Sequence, residues 1–431
     1  MILLLRVPSS GDRVGAIDPP ISQGLLAAAL RARDVPASVL DLTYAGEHGV
    51  DELTAALTDP DLQIVGMSAY QTNTERCLAI ARVVKELRPD VKVLMGGPQA
   101  THMPASGLAA MPDVDGLCRG PGEHALLEYI SALTRGDSHR PGFLHRVEER
   151  VVDGGCPAAP HPDQVASPLA AAVWPAERYP FAITFSSRGC PYACAFCYTP
   201  ASSGRRMLYV PIDLVAREVE LLAAAGVRHL FFADPIFIVD QARTRALLAR
   251  LTALRSGLSF SCELRMEHAD DELLAAMAGA GFVKVAYGLE SASESLLAGV
   301  RKPTSLARFR DAVARTLGHG IAVEVFYMFG LPGETRDDVL RTFDFVASLH
   351  PVVNEISEPQ QVQLYFGTEI LDRHTAYGIE LLGERAPYLS PGRSYRTTTL
   401  DPDDFAWLEQ EWQARRGVRA PAAAAPAAGC P

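Results

Sequence analysis

The sequence predicts an α/β protein that begins with a doubly wound parallel sheet, continues with a partial (β/α)6 barrel and ends in a small helical region. Two observations predict this order. Short apolar runs alternate with amphipathic segments over residues 1–135 and again over residues 181–365, as in parallel sheets covered by helices. The 431 residues, of which 48% are hydrophobic and 21% charged, suffice for two such domains.

Charge and hydropathy argue against several classes of protein. The net charge of −11 disfavours a nucleic-acid partner, because phosphate backbones are bound by basic surfaces. No stretch reaches the roughly 18 apolar residues that a membrane span requires. The apolar start, Met1–Val7, is too short for the hydrophobic region of a signal peptide and is expected to be a buried strand. We therefore expect a cytoplasmic protein without membrane or nucleic-acid partners.

Residues 1–135 carry five predicted strands with helices between them. The strands are apolar runs bounded by turn residues: Met1–Val7, Ala37–Leu42, Gln63–Met67, Val91–Met95 and Val114–Cys118. The clearest helical patterns are Leu25–Ala32 and Thr74–Leu87. Five alternating strands in this length predict a flavodoxin-like domain, whose ligand lies beyond the carboxyl ends of the strands.

The segments that follow these strands are rich in glycine and in small hydroxyl residues. They are Pro8–Gly11, Pro19–Gly24, Gly66–Asn73, Gly96–Thr101 and Arg119–Glu123. Glycine and proline are also ordinary turn residues, so a single segment of this kind would indicate nothing. Several of them on one edge of a sheet favour a large ligand that the backbone approaches closely.

The strand–helix alternation returns after a patternless stretch. Residues 136–180 are rich in proline, alanine and aspartate and are expected to be a linker or a covering strap between the domains. Six strands are predicted after it: Phe181–Ser186, His229–Ala233, Leu258–Cys262, Val283–Tyr287, Ala322–Met328 and Pro359–Tyr365. The predicted helices are Ile212–Ala225, Gln241–Leu254, Asp271–Ala280, Leu306–His319 and Arg336–Leu349. Residues 366–416 are expected to form a small region with one helix, and residues 417–431 a disordered tail.

Three cysteines, Cys190, Cys194 and Cys197, follow the first of these strands with the spacing C-x-x-x-C-x-x-C. A structural zinc site needs four ligands, and the next cysteine along the chain is Cys262. Three thiolates can instead hold three irons of a [4Fe–4S] cluster and leave the fourth iron open to a chelating ligand. Phe196, beside the last cysteine, is suited to shielding such a cluster from water. The five other cysteines are scattered, and no disulfide framework is expected.

The cysteine run and the segments after the later strands resemble the radical S-adenosylmethionine (SAM) enzymes. Gly288, Glu290 and Ser291 belong to a segment similar to one that lies beside SAM in that family, and Gly330–Thr335 is similar to the family's G-L-P-G-E-T turn. The resemblance implies that SAM binds the open iron and is cleaved to a 5′-deoxyadenosyl radical. Arg265 is a candidate either for holding the SAM carboxylate or for an ion pair at the surface.

The amino-terminal part resembles the cobalamin-binding domain that is fused to many radical SAM enzymes. The resemblance implies that cobalamin contacts the strand-end segments, at Ser68, Tyr70, Gly96, Gly97, Thr101, Arg119, Gly122 and Glu123. The D-x-H-x-x-G motif, whose histidine ligates cobalt in some cobalamin proteins, does not occur between the first strand and Leu25. Tyr70 or Gln71 is therefore expected to cover the lower face of cobalamin. His102 is either a corrin contact or a solvent-exposed loop residue.

Three positions depart from the family patterns. Pro235 follows Asp234 where a second polar residue is usual, and Phe366 replaces the proline of a P-G-T turn. Pro121 replaces the glutamate of R-G-E-G-E. Because proline removes a backbone donor, Asp234 is expected to keep a role while a neighbouring contact is lost.

The two resemblances together imply a cobalamin-dependent radical SAM enzyme, and methylation of a poorly activated carbon is the expected reaction. A [4Fe–4S] cluster, SAM and methylcobalamin would serve it, with an external flavodoxin- or ferredoxin-type electron donor and a natural-product or peptide substrate. Ring formation, rearrangement or transfer of another SAM-derived group is the first alternative. A non-catalytic iron–sulfur sensor is the second, although a sensor has no need of a SAM cleft.

Overall fold

The structure is a computed structural model that describes residues 1–9, 19–45, 49–148, 150–156, 167–175, 178–179, 181–349, 353, 355–383 and 395–419. Gly11, in the segment after the first strand, and residues 420–431, in the predicted disordered tail, lie outside the described residues. So does much of the stretch expected to be a linker.

A seven-stranded sheet forms the amino-terminal part, in the order β2-β1-β3-β4-β5-β6-β7. Its strands are β1 (Ile2–Arg6), β2 (Ala37–Asp41), β3 (Ile64–Ser68), β4 (Lys92–Gly96), β5 (Gly116–Cys118), β6 (Phe143–Val147) and β7 (Arg150–Asp153). Its helices are α1 (Ile21–Arg31), α2 (Leu42–Ala45), α3 (Gly49–Leu57), α4 (Thr74–Leu87), α5 (Pro98–Thr101), α6 (Ala105–Ala109) and α7 (Gly122–Arg135). Strands β1 to β5 are parallel, and helices cover both faces, so their apolar runs are continuous and buried. The predicted doubly wound domain is confirmed.

An antiparallel hairpin extends this sheet beyond the five predicted strands. Strands β6 and β7 lie within residues 136–180, the stretch that composition alone indicated to be a linker. Leu144 pairs with Leu117 of β5 and Phe143 with Cys118. The hairpin therefore covers the edge strand of the parallel sheet, which would otherwise leave backbone groups unpaired.

A second sheet of parallel strands forms the rest of the core, as a half-barrel. Five strands run in the order β14-β13-β12-β11-β8, and β15 and β16 both pair with β14. The strands are β8 (Phe181–Thr184), β9 (Ser187–Arg188), β10 (Leu208–Tyr209), β11 (His229–Phe232), β12 (Ser259–Leu264), β13 (Phe282–Glu290), β14 (Ala322–Phe329), β15 (Glu355–Ile356) and β16 (Gln360–Gln361). The helices are α8 (Tyr198–Ser203), α9 (Ile212–Ala224), α10 (Gln241–Leu254), α11 (Asp271–Ala280), α12 (Glu294–Gly299), α13 (Leu306–Gly318) and α14 (Arg336–Leu349). The predicted partial barrel is confirmed.

Alternation along the strands separates the packed side of the half-barrel from its hollow side. In β14, Val323, Val325 and Tyr327 are buried, whereas Glu324 and Phe326 are only half-buried. Successive side chains of a strand point to opposite faces, so the buried set packs against the helices and the other set faces the hollow. Side chains on the hollow side are thus available to a ligand.

The carboxyl-terminal region contains α15 (Glu369–Asp372), β17 (Ile379–Leu381), β18 (Tyr395–Thr397) and α16 (Pro402–Arg419). The last helix continues through residues 417–419, which were predicted to begin the tail. Phe366, just before α15, packs against the hydrophobic cores of both sheets. No helix among the described residues is long and apolar enough to cross a membrane.

Two further contacts fix the sheets relative to each other. Arg188 of β9 donates to Glu123 of α7 at 2.6 Å, an ion pair that joins the barrel to the amino-terminal domain. A strap within residues 167–179 crosses the same boundary: the Arg31 guanidinium donates to the carbonyls of Ala171 and Ala172. These contacts join the half-barrel and the amino-terminal sheet near Arg188 and Glu123.

Candidate active site between the two sheets

The cysteine loop lies between β8 and α8 and is held by backbone bonds on both sides. The Ala195 amide donates to the carbonyl of Val300 at 2.9 Å, and its carbonyl accepts from the amide of Ile370 at 3.0 Å. Arg301 donates to the carbonyl of Ala193 at 2.8 Å. The loop is thus clamped between the segment after α12 and the start of α15.

All three cysteines of the loop, together with Phe196, line a cavity of about 370 Å³ in the hollow of the half-barrel. Burial raises the pKa of the Cys197 thiol to about 11 and also raises the pKa of the Cys190 thiol. Thiols in this state release protons when metal binds, since the thiolate is the ligand. Among the described residues no set of three Cys, His, Asp or Glu side chains converges on a single ion. Three thiolates on one loop match the ligands that a [4Fe–4S] cluster takes, each on a separate iron.

One wall of this cavity is charged. Glu290 and Lys302 form an ion pair in which both side chains are little exposed, and Lys302 also donates to the carbonyl of Gly288 at 3.0 Å. Glu290 has a left-handed φ of 67°, which turns its side chain back over Gly288. A Cβ at Gly288 would stand 2.7 Å from the Lys302 ammonium. A side chain at this position would displace the present Glu290–Lys302 pair, and glycine leaves room for it.

Glu263, on the hollow side of β12, is a second carboxyl group in the same wall. Burial, with the nearby charges of Glu290 and Glu324, raises its pKa to about 7. Lys302 acts in the opposite direction. Glu290 is paired with Lys302, and Glu324 lies 3.0 Å from Lys284. Sequence reasoning missed both Glu263 and Lys302, because neither belongs to a recognisable motif.

Arg265 lines the cavity next to the cysteines. Its guanidinium lies 3.8 Å from the sulfur of Cys194, 4.0 Å above the ring of Tyr192 and 3.0 Å from a carboxylate oxygen of Glu267. The side chain of Arg265 is 10% exposed and that of Glu267 is 29% exposed, so the pair is partly open to solvent. The positive charge is thus held at the rim of the cysteine loop, where a carboxylate ligand could reach it.

Three polar residues of the barrel that belong to predicted motifs use their side chains for hydrogen bonds within the fold. Ser291 is fully buried and donates to Glu334 of the G-L-P-G-E-T turn at 3.4 Å, outside the cavity. Glu334 accepts from the amides of Gly330 and Leu331. Asp234 accepts two bonds from Ser186, including its amide at 2.7 Å, and one from a neighbouring serine. The predicted position of Ser291 beside SAM is thus not favoured, since its hydroxyl is used within the fold.

A second cavity, of about 380 Å³, lies at the carboxyl ends of β1, β3, β4 and β5 and extends along the sheet under α1 and α7. Most of the residues predicted to contact cobalamin line it: Ser68, Tyr70, Gly96, Gly97, Thr101, Gly122 and Glu123. Its volume is in the range of natural ligand sites. Hydroxyl groups and small residues at the rim, over an apolar floor, suit a flat ligand with amide side chains.

Two observations test whether cobalamin fits this cavity. Gly97 has a φ of 90°, and a Cβ there would stand 3.0 Å from the carbonyl oxygen of Ala69, so the loop at the cavity wall needs glycine for this conformation. The Nη2 group of Arg188 and the hydroxyl of Ser203 are buried at the wall without a hydrogen-bond partner among the described residues. Unsatisfied polar groups in a cavity wall fit a ligand that supplies amide partners.

The structure separates the remaining amino-terminal candidates. Tyr70 lines the cavity and is 37% exposed, whereas Gln71 is buried and donates to the carbonyl of Leu364. Arg119 lies outside the cavity: it donates to the carbonyl of Met103 at 2.8 Å and pairs with Asp153 at 2.7 Å. Of the two residues expected at the lower face, Tyr70 lines the cavity and Gln71 does not, and Arg119 holds the domain together.

His102 is also directed away from the cavity. Its ring packs against Tyr198, with centroids 6.5 Å apart, and closely approaches Gly367. Burial lowers its pKa. The prediction of a solvent-exposed loop residue is wrong, and a direct corrin contact is not supported, since His102 packs between the domains.

The two cavities meet at helix α8. Thr199 lines both of them, and the preceding residue, Tyr198, donates to the hydroxyl of Thr101 at 2.8 Å across the domain boundary. Tyr198 directly follows Cys197, the last cysteine of the loop. One turn of helix therefore separates the cysteine loop from the wall of the other cavity.

Comparison with known proteins agrees with this arrangement. Residues 184–346 match the family model of the radical SAM superfamily, and residues 11–130 match that of the B12 binding domain. The chain is thus a radical SAM enzyme that carries a B12-binding domain. More particularly, it belongs to the cobalamin-binding branch of these enzymes, with a [4Fe–4S] cluster, SAM and cobalamin as cofactors.

Similar proteins include several methyltransferases. An uncharacterized methyltransferase of Pyrococcus horikoshii is 26% identical over 365 residues, covering 81% of this chain and 78% of that protein. The cobalamin-dependent radical SAM methyltransferase TokK of Streptomyces tokunonensis is 29% identical over 203 residues, covering 44% of this chain and 29% of that protein. The chain thus spans most of the first relative but less than a third of the second.

Solved structures show the same fold over nearly the whole chain. The radical SAM methyltransferase TsrM of Kitasatospora setae, with tryptophan and a SAM analogue bound, gives a TM-score of 0.73 at 20% identity. The match covers 94% of this chain and 82% of TsrM. The cobalamin-dependent enzyme OxsB gives 0.71 at 16% identity, covering 96% of this chain and 67% of OxsB. At these identities the likeness concerns the fold.

Proposed function

We propose that this protein is a cobalamin-dependent radical SAM C-methyltransferase that acts on a poorly activated carbon of a small natural product or peptide. The observation that carries the proposal is the adjacency of the two cavities, which share Thr199 as a wall residue. A substrate carbon near this residue could be reached from both sides. The curated relatives named as methyltransferases support the same reaction.

Each cavity has residues suited to one set of cofactors. Cys190, Cys194 and Cys197 would hold the cluster, with Arg265 placed for the carboxylate of SAM. The Glu290–Lys302 pair lies where the polar groups of SAM could meet it. When bound, the cluster and SAM supply a radical that abstracts hydrogen, and cobalamin supplies the methyl group.

The contribution of the protein is to bind, orient and exclude water. The strand-end residues from Ser68 to Glu123 would hold cobalamin, and Tyr70 would cover its lower face. Phe196 and Phe326 form apolar parts of the other cavity, which keeps bulk water from a reactive site. Positioning of this kind lowers a barrier by holding reactants in a productive geometry.

A second candidate reaction is ring formation with the same cofactors. It is favoured by the anaerobic magnesium-protoporphyrin IX monomethyl ester cyclase of Rubrivivax gelatinosus, which is 23% identical over 366 residues, covering 80% of this chain and 64% of that protein. An external electron donor and a cytoplasmic location, both expected from the sequence, stay predictions.

Anaerobic incubation with methyl-labelled SAM tests the proposal. The protein is reconstituted with cluster and cobalamin, reduced with dithionite and supplied with an extract of its source cells. We expect reductive cleavage of SAM, label in the extracted cobalamin, and a labelled small-molecule product by mass spectrometry. A transformed product without label would favour ring formation, and absence of SAM cleavage would contradict both reactions.

A further inference from the structure

The turn that follows α8 presents two arginines to solvent beside the cysteine loop. Arg205 and Arg206 are both exposed and form no ion pair with the described residues. The backbone of this turn packs against the loop: a Cβ at Gly189, the residue before Cys190, would collide with the carbonyl oxygen of Arg206. Strand β10, just after the turn, pairs with β9, just before the loop. The turn is therefore fixed against Gly189, the residue that precedes the first cysteine of the loop.

The charge of this segment is opposite to that of the whole chain. The chain has 51 acidic and 40 basic residues, yet residues 181–212 contain three arginines and no aspartate or glutamate. Arg188 is paired with Glu123, which leaves the two arginines of the turn as the positive charge facing solvent. A local basic surface on an acidic protein attracts an acidic partner that the rest of the surface repels.

We propose that the turn around Arg205 and Arg206 is the docking surface for a small acidic one-electron carrier protein. The inference rests on the proposed function, in which a cluster on the three cysteines must be reduced from outside. In the step concerned, the reduced carrier loses one electron and the cluster gains it, and no atom is transferred. Docking at this turn brings the carrier next to Gly189, which directly precedes Cys190 in the chain.

A matched surface lies at the opposite edge of the half-barrel. Arg228 and Arg255 are also exposed and without an ion pair among the described residues, but they stand before β11 and β12, at the amino ends of the strands. The depth of the sheet separates them from the cysteines. Arg205 and Arg255 both have a left-handed φ, of 61° and 46°. Replacing either one by glutamate therefore adds no backbone strain that the arginine does not already have.

The test compares two charge-reversed variants of the full-length, cluster-loaded protein. The two variants are Arg205→Glu/Arg206→Glu and Arg228→Glu/Arg255→Glu. Each substitution changes the net charge by −2, so each double variant has a net charge of −15 instead of −11. A reduced flavodoxin is the probe. Its dissociation constant is measured by titration at low and high ionic strength, and reduction of the cluster is followed by loss of visible absorbance.

We expect Arg205→Glu/Arg206→Glu to weaken flavodoxin binding and slow flavodoxin-driven reduction by about 10-fold or more at low salt. High salt should bring the flavodoxin affinity and the reduction rate of this variant closer to those of the wild type, because salt screens exposed charges. The Arg228→Glu/Arg255→Glu variant should change both quantities far less. Dithionite should reduce wild type and both variants equally, which shows that fold and cluster are intact.

Equal flavodoxin binding and equal reduction rates in the two variants would overturn the docking surface. A slower reduction with dithionite as well would also overturn it, since the arginines would then be maintaining the cluster loop. Failure of the wild-type protein to cleave SAM with dithionite concerns the proposed function, and the binding titration still decides whether the arginines recognise an acidic carrier.

Discussion

The two cavities lie at equivalent places in two parallel sheets, yet their walls are built in different ways. The amino-terminal cavity is lined mainly by apolar residues, glycines and hydroxyl groups, and its one ion pair, Arg188 with Glu123, stands at the domain boundary. The barrel cavity contains three cysteines, two carboxyl groups, an ammonium and a guanidinium. One fold principle, a ligand beyond the strand ends, thus serves two kinds of ligand.

The difference follows from what each ligand demands of the protein. Cobalamin is large and carries amides, so the wall needs space and hydrogen-bonding groups, which glycines and hydroxyls supply. SAM is small and carries charges of both signs, and the cluster needs thiolates, so the wall needs fixed charges. Changes in the barrel wall should therefore act through electrostatics, and changes in the amino-terminal wall through shape.

The largest effect is expected for Cys194→Ala. Removing one of three thiols should eliminate the cluster and abolish reductive SAM cleavage, while cobalamin binding, which depends on the other cavity, is retained. Iron analysis, visible absorbance and cobalamin titration measure the three outcomes. Cys262→Ala, at a buried cysteine outside the cavity, is the control and should keep its iron. If Cys194→Ala lost cobalamin binding as well as iron, the two cavities would not bind their cofactors independently.

Lys302→Met should come next, because it leaves Glu290 buried without its partner. Breaking a buried pair on one side costs about 3–5 kcal/mol of unfolding free energy. Urea denaturation should show this loss, and SAM affinity should fall while cobalamin affinity is kept. Adding Glu290→Gln to the variant should restore much of the stability. No recovery in the double variant would mean that Lys302 acts through other contacts.

Gly97→Ala should affect the amino-terminal cavity alone. Gly97 has φ 90° and ψ −174°, a region essentially restricted to glycine, so a residue with a Cβ costs about 1–3 kcal/mol there, and this Cβ would also press on Ala69. Cobalamin titration should show weaker binding, with iron content unchanged. Gly136→Ala is the control, since Gly136 has a similar φ of 73° but open space around it. If both variants weaken cobalamin binding equally, the loss reflects general stability and not the shape of the cavity.

The smallest effect on the cofactor sites is expected for Glu334→Gln, behind the barrel cavity. Burial raises the pKa of Glu334 to about 8 from an ordinary 4.5, so the folded chain holds a proton that the unfolded chain releases. This contribution favours the folded state at low pH and is lost as the pH rises from about 4.5 to 8. Urea denaturation across this range should give a flatter stability curve for the variant. Parallel curves for the two proteins would contradict the assignment.

The sequence predicts the strands, helices and cysteine loop that surround both sites, because these elements follow from local sequence patterns. The strands β1 to β4 and helix α4 lie within a residue or so of their predicted bounds, since alternating apolar runs with turn residues are read from neighbouring positions. The cysteine spacing is likewise local. Tyr70 was one of two equal candidates, and only the bond from Gln71 to Leu364 in the other domain distinguishes them.

What the sequence could not predict depends on contacts between distant residues. Lys302 reaches Glu290 only because the segment after α12 folds back on β13. Ser291 has the composition of a ligand contact, yet Glu334, more than 40 residues later, takes its hydroxyl. Hairpin β6–β7 has weak apolar character, and its strands are defined by the edge they cover. The ion pair, the hydrogen bond and the hairpin all depend on tertiary contacts, which no local sequence pattern encodes.

Helix α8 has a consequence for engineering. Because Cys197 precedes it, Thr199 lines both cavities and Tyr198 bonds to Thr101, this helix cannot be assigned to either domain alone. A chimera that exchanges the amino-terminal domain between related enzymes must therefore bring a compatible residue at position 101. The crossover point for such exchanges lies in the strap before β8, so that α8 stays with the cysteine loop.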